Sequence, residues 1–156
     1  MKEVKEYLSK EKFEEFKNEL QFLKTTKRKQ IAEELDYARS LGDLSENAEY
    51  QEAREAQANL EDRIIKLELI LKNAVIITEH AGHGVVEISS KIEVQKEGEK
   101  TPRSFTVVGS EEADMATGKV SNRSPFGMAV LGKKKGESFT YNSPKGAITY
   151  KIIDVK

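Results

Sequence analysis

Gly42-Asp43-Leu44-Ser45-Glu46-Asn47-Ala48-Glu49-Tyr50 separates two long, charged segments in which apolar residues recur at helical spacing. A glycine just past a helical pattern is a stop signal, because it tolerates the left-handed backbone that closes a helix. Asp43 to Glu46 has the spacing of a capping box, which starts a new helix. The nine residues therefore predict the tip of a helical hairpin, with two carboxylates three residues apart.

On the N-terminal side, Ser9 is an N-cap type, with Leu8 and Phe13 placed as a hydrophobic staple. Phe13, Phe16, Leu20, Leu23, Ile31, Leu35 and Ala38 then form one narrow apolar stripe, and no Pro or Gly interrupts residues 9–41. The step from Leu23 to Ile31 is eight residues with Lys27 in the seam, so the supercoil should relax there. The return helix is predicted from about Asn47 to Asn73, with the stripe Ala53, Ala56, Leu60, Ile64, Leu67 and Leu71. Small residues lie toward the tip and large ones toward the base. At 1.5 Å per residue each arm is on the order of 40 Å long, a shape suited to delivering its tip into something deep.

Composition narrows the function classes. The 156 residues suffice for one ordinary domain or two small ones, and 34% of them are charged. The formal net charge of -1 supplies no overall basic field to hold nucleic acid non-specifically. With no cysteine, disulfides, thiolate metal sites and thiol catalysis are excluded, and a reducing cytoplasm is the expected location. Neither a signal peptide nor an apolar run of the roughly 20 residues that span a bilayer is expected, so no membrane association is foreseen.

In the second half, residues 73–84 read as a junction. Strand-like runs follow at Lys91–Gln95, Ser104–Val108, Glu137–Tyr141 and Ala147–Val155. Ser124-Pro125 through Leu131-Gly132 predicts a short helix, with an N-cap serine, proline at the first position and glycine at the end. Several strands around one short helix indicate an antiparallel sheet with the helix on one face. Glu111–Gly118 reads as an acidic loop.

Asp43 and Glu46 admit two readings. Capping and dipole complementation account for the pattern, which starts many helices. Alternatively the pair is half of a metal site: Mg²⁺ takes hard oxygen ligands and commonly only one or two protein carboxylates beside waters and phosphates. Lys24, Lys27, Arg28 and Lys29 form a dense basic cluster, either a solvated helix face or a contact for a nucleic-acid backbone. Arg39 and Arg54 fall beside the acidic pair, one on each arm. Tyr37 and Tyr50 would stack on a base or, more simply, pack across the hairpin. His80 and His83 lack a third ligand and read as linker. Gly132-Lys133-Lys134-Lys135-Gly136 lacks the spacing of a phosphate loop.

The tip stretch, with Ala38-Arg39 before it and Ala53-Arg54-Glu55 after it, resembles the signature of the Gre-type transcription elongation factors of bacteria, the A-type branch more than the B-type. A second stretch is similar to the same family: Val108-Gly109-Ser110-Glu111-Glu112-Ala113-Asp114, then Ser124-Pro125-Phe126-Gly127-Met128-Ala129-Val130-Leu131-Gly132-Lys133. The resemblance spans essentially the whole chain and favours the metal reading of the acidic pair. It implies an α+β protein. An N-terminal antiparallel coiled-coil hairpin over 1–75, with its acidic tip at 42–50, would be followed by a junction at 76–84. A small FKBP-like antiparallel sheet domain with one short helix would occupy 85–156. The resemblance further implies docking of the sheet domain, through Ser124 and Pro125, on the rim of the secondary channel of bacterial RNA polymerase. The coiled coil would enter that channel. Asp43 and Glu46 would help hold a second Mg²⁺ that is completed in trans by the polymerase, with no cofactor bound by the protein alone. Ser45 would orient a ligand or water, Arg39, Arg54 and Tyr50 would support the tip, and the basic cluster would face the nascent RNA 3′ end. The polymerase would then cut its own backtracked transcript, so the protein, expected to be a monomer, is an accessory factor rather than an enzyme. Arg123 and the His80/His83 pair depart from the family's pattern. The rival readings are a channel regulator of the same fold without cleavage stimulation, a prolyl isomerase, and a helical scaffold or chaperone.

Overall fold

Ser9 stands at the start of the first helix, where its Oγ accepts the Lys12 N–H at 3.1 Å, the bond an N-cap makes. The computed structural model describes residues 4–43, 47–78 and 84–156, so His80 and His83, like Ser45 and Glu46, lie outside the described residues. Helix α1 spans Lys10–Phe22, a π-helical turn follows over Leu23–Lys27, and α2 continues over Arg28–Ser40. The turn lies where the apolar stripe makes its eight-residue step. Two α-helical turns use about 7.2 residues, and one π turn adds about one more, which returns Ile31 to the seam of Leu23. Thr25 helps here, donating its hydroxyl to the Gln21 carbonyl at 2.7 Å.

Helix α3, Ala48–Lys72, returns antiparallel to α2. Ile31, Leu35, Ala53, Leu60 and Ile64 form the buried seam, with Leu20, Leu23, Tyr50 and Ala56 packed against it. Toward the base the buried positions of α3 are the expected Leu67 and, about 100° around the helix from Leu71, Ile70, while the expected Leu71 is half-buried. Paired charges hold the arms in register. Arg63 reaches Glu19 with both oxygens engaged, at 2.7 and 2.9 Å, and lies over the Phe16 ring.

The remaining elements form sheets. Strands β1 (Glu6–Ser9) and β2 (Ala74–Ile77) pair in parallel. Strands β3 (Lys91–Lys96), β4 (Arg103–Val108), β5 (Lys119–Ser121), β6 (Ser138–Ser143) and β7 (Gly146–Val155) make a five-stranded sheet in the order β5-β4-β3-β7-β6. The sheet is mixed rather than antiparallel throughout, since β4 and β5 run parallel. The expected acidic loop holds two 3₁₀ turns, Ser110–Glu112 and Met115–Thr117. Helix α4, Pro125–Val130, sets Phe126 among Phe105, Phe139, Tyr141 and Tyr150, with ring centroids 5.0 to 5.6 Å away. That ring cluster and Val86, Ile92, Val94, Val107, Val130 and Ile152 are the core.

The chain divides into two compact units, Phe13–Asn73 and Met1–Lys12 with Ala74–Lys156. The expected division at 1–75, 76–84 and 85–156 differs at both ends. Strand β1 pairs with β2, which takes the first residues out of the hairpin unit and turns the start of the expected junction, residues 76–77, into strand.

Candidate functional site

The tip begins where α2 stops. Leu41 donates its N–H to the Ala38 carbonyl at 3.2 Å, and Gly42 follows at φ 123°, a conformation that glycine takes without a Cβ penalty. Asp43 comes next and is exposed. It is not the helix cap that its spacing suggests. The N-cap of α3 is Asn47, whose Oδ1 accepts the Tyr50 N–H at 3.1 Å. The other end of the same amide, Nδ2, donates to the Ala38 carbonyl at 2.6 Å. One side chain thus caps the returning helix and ties it to the end of the outgoing one. An N-cap residue directly before a helical pattern is the sequence signal for it, and the capping-box spacing of Asp43 and Glu46 competes with that signal. Glu49 lies in the first turn of α3, where a carboxylate complements the helix dipole.

The expected support residues come together. The Tyr50 ring is half-buried against the seam, and the guanidinium carbons of Arg39 and Arg54 each lie 6.0 Å from its centroid. Arg39 also faces Asp36 at 3.9 Å. Two cations, one from each arm, therefore share one aromatic ring at the outer range of cation–π attraction. Tyr37 instead points out, with 63% of its surface exposed. Asn47→Ala removes both the cap and the cross-link, and is expected to destabilise the hairpin by about 1–2 kcal/mol. Asp43→Ala is expected to cost less than Asn47→Ala, because the cap of α3 is carried by Asn47. Thermal or urea unfolding of the two variants checks the assignment, and a larger loss for Asp43→Ala would reverse it.

The basic cluster does not present four available cations. Arg28 binds Glu61 through two bonds of 2.9 Å, and Lys24 pairs with Glu68, both across the hairpin. The hydrogen bond to Glu61 pushes the Arg28 guanidinium further above its ordinary range. Lys27 is half-buried in the π turn, and Lys29 is exposed. Exposed pairs of this kind set register more than stability.

At the second motif, Ser124 Oγ accepts the Gly127 N–H at 3.0 Å and donates to the Ser121 carbonyl at 2.7 Å. Pro125 occupies the first turn of α4 and is exposed, with Met128 exposed one turn on. Arg123 is held away from them, donating to Glu6 at 3.1 Å and to the Lys5 carbonyl at 2.7 Å. Sequence reasoning missed the need for two glycines. A Cβ on Gly109 would lie 1.8 Å from the Tyr7 carbonyl oxygen, and one on Gly127 would lie 2.0 Å from that of Ser121.

Comparison with known proteins agrees with both motifs. The family model "Transcription elongation factor, N-terminal" matches residues 6–76, and "Transcription elongation factor, GreA/GreB, C-term" matches residues 81–156. Transcription elongation factor GreA of Clostridium acetobutylicum is 47% identical over 139 residues, 88% of each chain. GreA of Bacillus subtilis is 42% identical over 142 residues, 91% of this chain and 90% of that one. Among solved structures, GreA factor homolog 1 of Thermus thermophilus is 26% identical, with 98% of this chain and 99% of that one covered, at a TM-score of 0.45. Two matching models that together cover nearly every residue, with relatives above 40% identity along most of their length, place this chain in the GreA/GreB family of transcription elongation factors.

Proposed function

We propose that this protein stimulates the Mg-dependent cleavage of backtracked RNA by bacterial RNA polymerase, inserting its hairpin into the secondary channel and docking its sheet unit on the rim. One observation supports the catalytic reading above the others: Asn47, not Asp43, caps α3. The pattern's commonest structural use is already served by another side chain, so the Asp43 carboxylate is not needed as a cap.

An exposed carboxylate in a loop suits Mg²⁺, which accepts one or two protein oxygens and retains waters. Asp43 and Glu46 would hold the ion together with ligands of the polymerase, and Ser45 would orient the water. The ion's contribution when bound is to lower the pKa of a coordinated water and to stabilise the oxygens of an in-line displacement. The protein's part is positional. Asn47 and the Arg39–Tyr50–Arg54 cluster fix the end of the rod, and Pro125 with Met128 offers an apolar contact for the polymerase. Lys29, and the part of the basic cluster not engaged by Glu61 and Glu68, faces the RNA. The factor has no turnover of its own, and the polymerase makes the cut. A prolyl-isomerase reading is disfavoured because the chain has no Trp to line a proline pocket, and the ring cluster around Phe126 is packed as core.

Mixing the protein with an arrested polymerase–RNA complex and Mg²⁺ is expected to shorten the transcript from its 3′ end and to restore elongation. Binding to the polymerase without shortening would leave the regulator reading in its place.

A further inference from the structure

The sheet unit contains a groove of about 650 Å³ whose chemistry has no part in the hairpin's work. Ile76, Ile77 and Val107 give it an apolar wall, and Lys10, Lys91, Lys119 and Lys156 reach it from four different segments. All four lysines are exposed, and none forms an ion pair among the described residues. Several cations elsewhere are matched by carboxylates, as Lys24, Arg28, Arg63 and Arg123 show. Two carboxylates share the groove, Glu11 and Glu112. Glu112 is already engaged, accepting the Ser9 N–H at 2.8 Å and the Ser9 hydroxyl at 2.6 Å.

Two details point to an anion. Lys91 and Lys156 exchange both backbone hydrogen bonds, N to O at 3.1 and 2.8 Å, which sets them directly opposite each other. Like charges so placed repel, and the backbone carboxylate of Lys156, the last residue of the sequence, offsets only part of that repulsion. Ser89, also in the lining, holds φ at 84°, the one non-glycine residue with positive φ among those described. Its N–H donates to the Val107 carbonyl at 2.7 Å, which holds that backbone in place. Backbone strain of this sort concentrates at binding sites.

We propose that this groove binds a polyphosphate, the chemistry shared by inorganic polyphosphate and nucleoside triphosphates. Lysine binds phosphate as a point charge. Four lysines spread around a cavity of small-molecule size match several linked phosphates better than one. Among the described residues no aromatic ring lines the groove, so the phosphates rather than a nucleotide's base carry the binding.

The test titrates the full-length protein with sodium tripolyphosphate, ATP and UTP by calorimetry at low salt. All three are expected to bind within about threefold of one another, and orthophosphate more weakly. Replacing Lys91 and Lys119 together by Gln is expected to weaken tripolyphosphate binding about 25-fold, roughly fivefold for each exposed charge. Lys145→Gln, on the β6–β7 turn, is expected to change nothing. Absence of binding, equal binding by the double variant, ATP binding without tripolyphosphate binding, or binding of a short RNA alone would each overturn the proposal.

Discussion

Asp43→Ala is expected to lower Mg-dependent shortening of backtracked RNA on the order of 100-fold, while competition with the unaltered protein for polymerase stays the same. A factor of 100 is about 2.7 kcal/mol of transition-state stabilisation, within what one ligand to a catalytic ion supplies. Binding should be spared because the apolar contact is assigned to α4, in the other compact unit. Folding should be spared because Asn47 carries the cap. Asp43→Asn keeps the shape and removes the charge, so it should lose as much as alanine. Pro125→Ala provides the contrast. It should weaken docking, and with it cleavage, but raising the protein concentration should restore cleavage. No concentration should rescue Asp43→Ala. If Asp43→Ala shortened arrested transcripts at the normal rate, the catalytic assignment would be wrong, whatever the affinity.

Gly127→Ala should destabilise the sheet unit by about 3 kcal/mol or more. The added Cβ would lie 2.0 Å from the Ser121 carbonyl oxygen and 3.0 Å from the Asn122 Cα, and both are backbone atoms that cannot swing aside. The helix would have to lift, withdrawing Phe126 and Val130 from the core. Overpacking against a flexible side chain typically costs about 1–3 kcal/mol, and rigid backbone makes the upper end a floor. For a chain of this size that lowers the melting midpoint by roughly 10 °C. The loss should appear in near-ultraviolet circular dichroism from Tyr141 and Tyr150, which pack against Phe126. Helical signal from the hairpin, a separate compact unit, should persist. A midpoint within about 2 °C of the unaltered protein would mean that α4 does not sit this close to Ser121.

Each of these two variants rests on a residue that reads differently in one dimension than in three. Asp43 and Glu46 look like a cap because spacing is all a sequence offers. The bond goes to Asn47 because that residue directly precedes the first helical turn. Gly127 sits in a helix, where glycine is a poor choice on propensity alone. Its reason is a neighbouring strand end, which no local pattern reveals.

The sequence by itself determined the helical hairpin, its apolar seam and the irregularity near Lys27, because these follow from repeats of three and four along one chain. It also determined the short capped helix at Ser124, the four longer strands and the position of the acidic tip. Tertiary structure alone decided that residues 6–9 leave the hairpin to pair with 74–77, that β5 runs parallel to β4, and that two of the four clustered cations are consumed by Glu61 and Glu68. Strands of three or four residues are too short to show a period. Pairings across dozens of residues depend on what the whole chain brings together, so they leave no local trace to read.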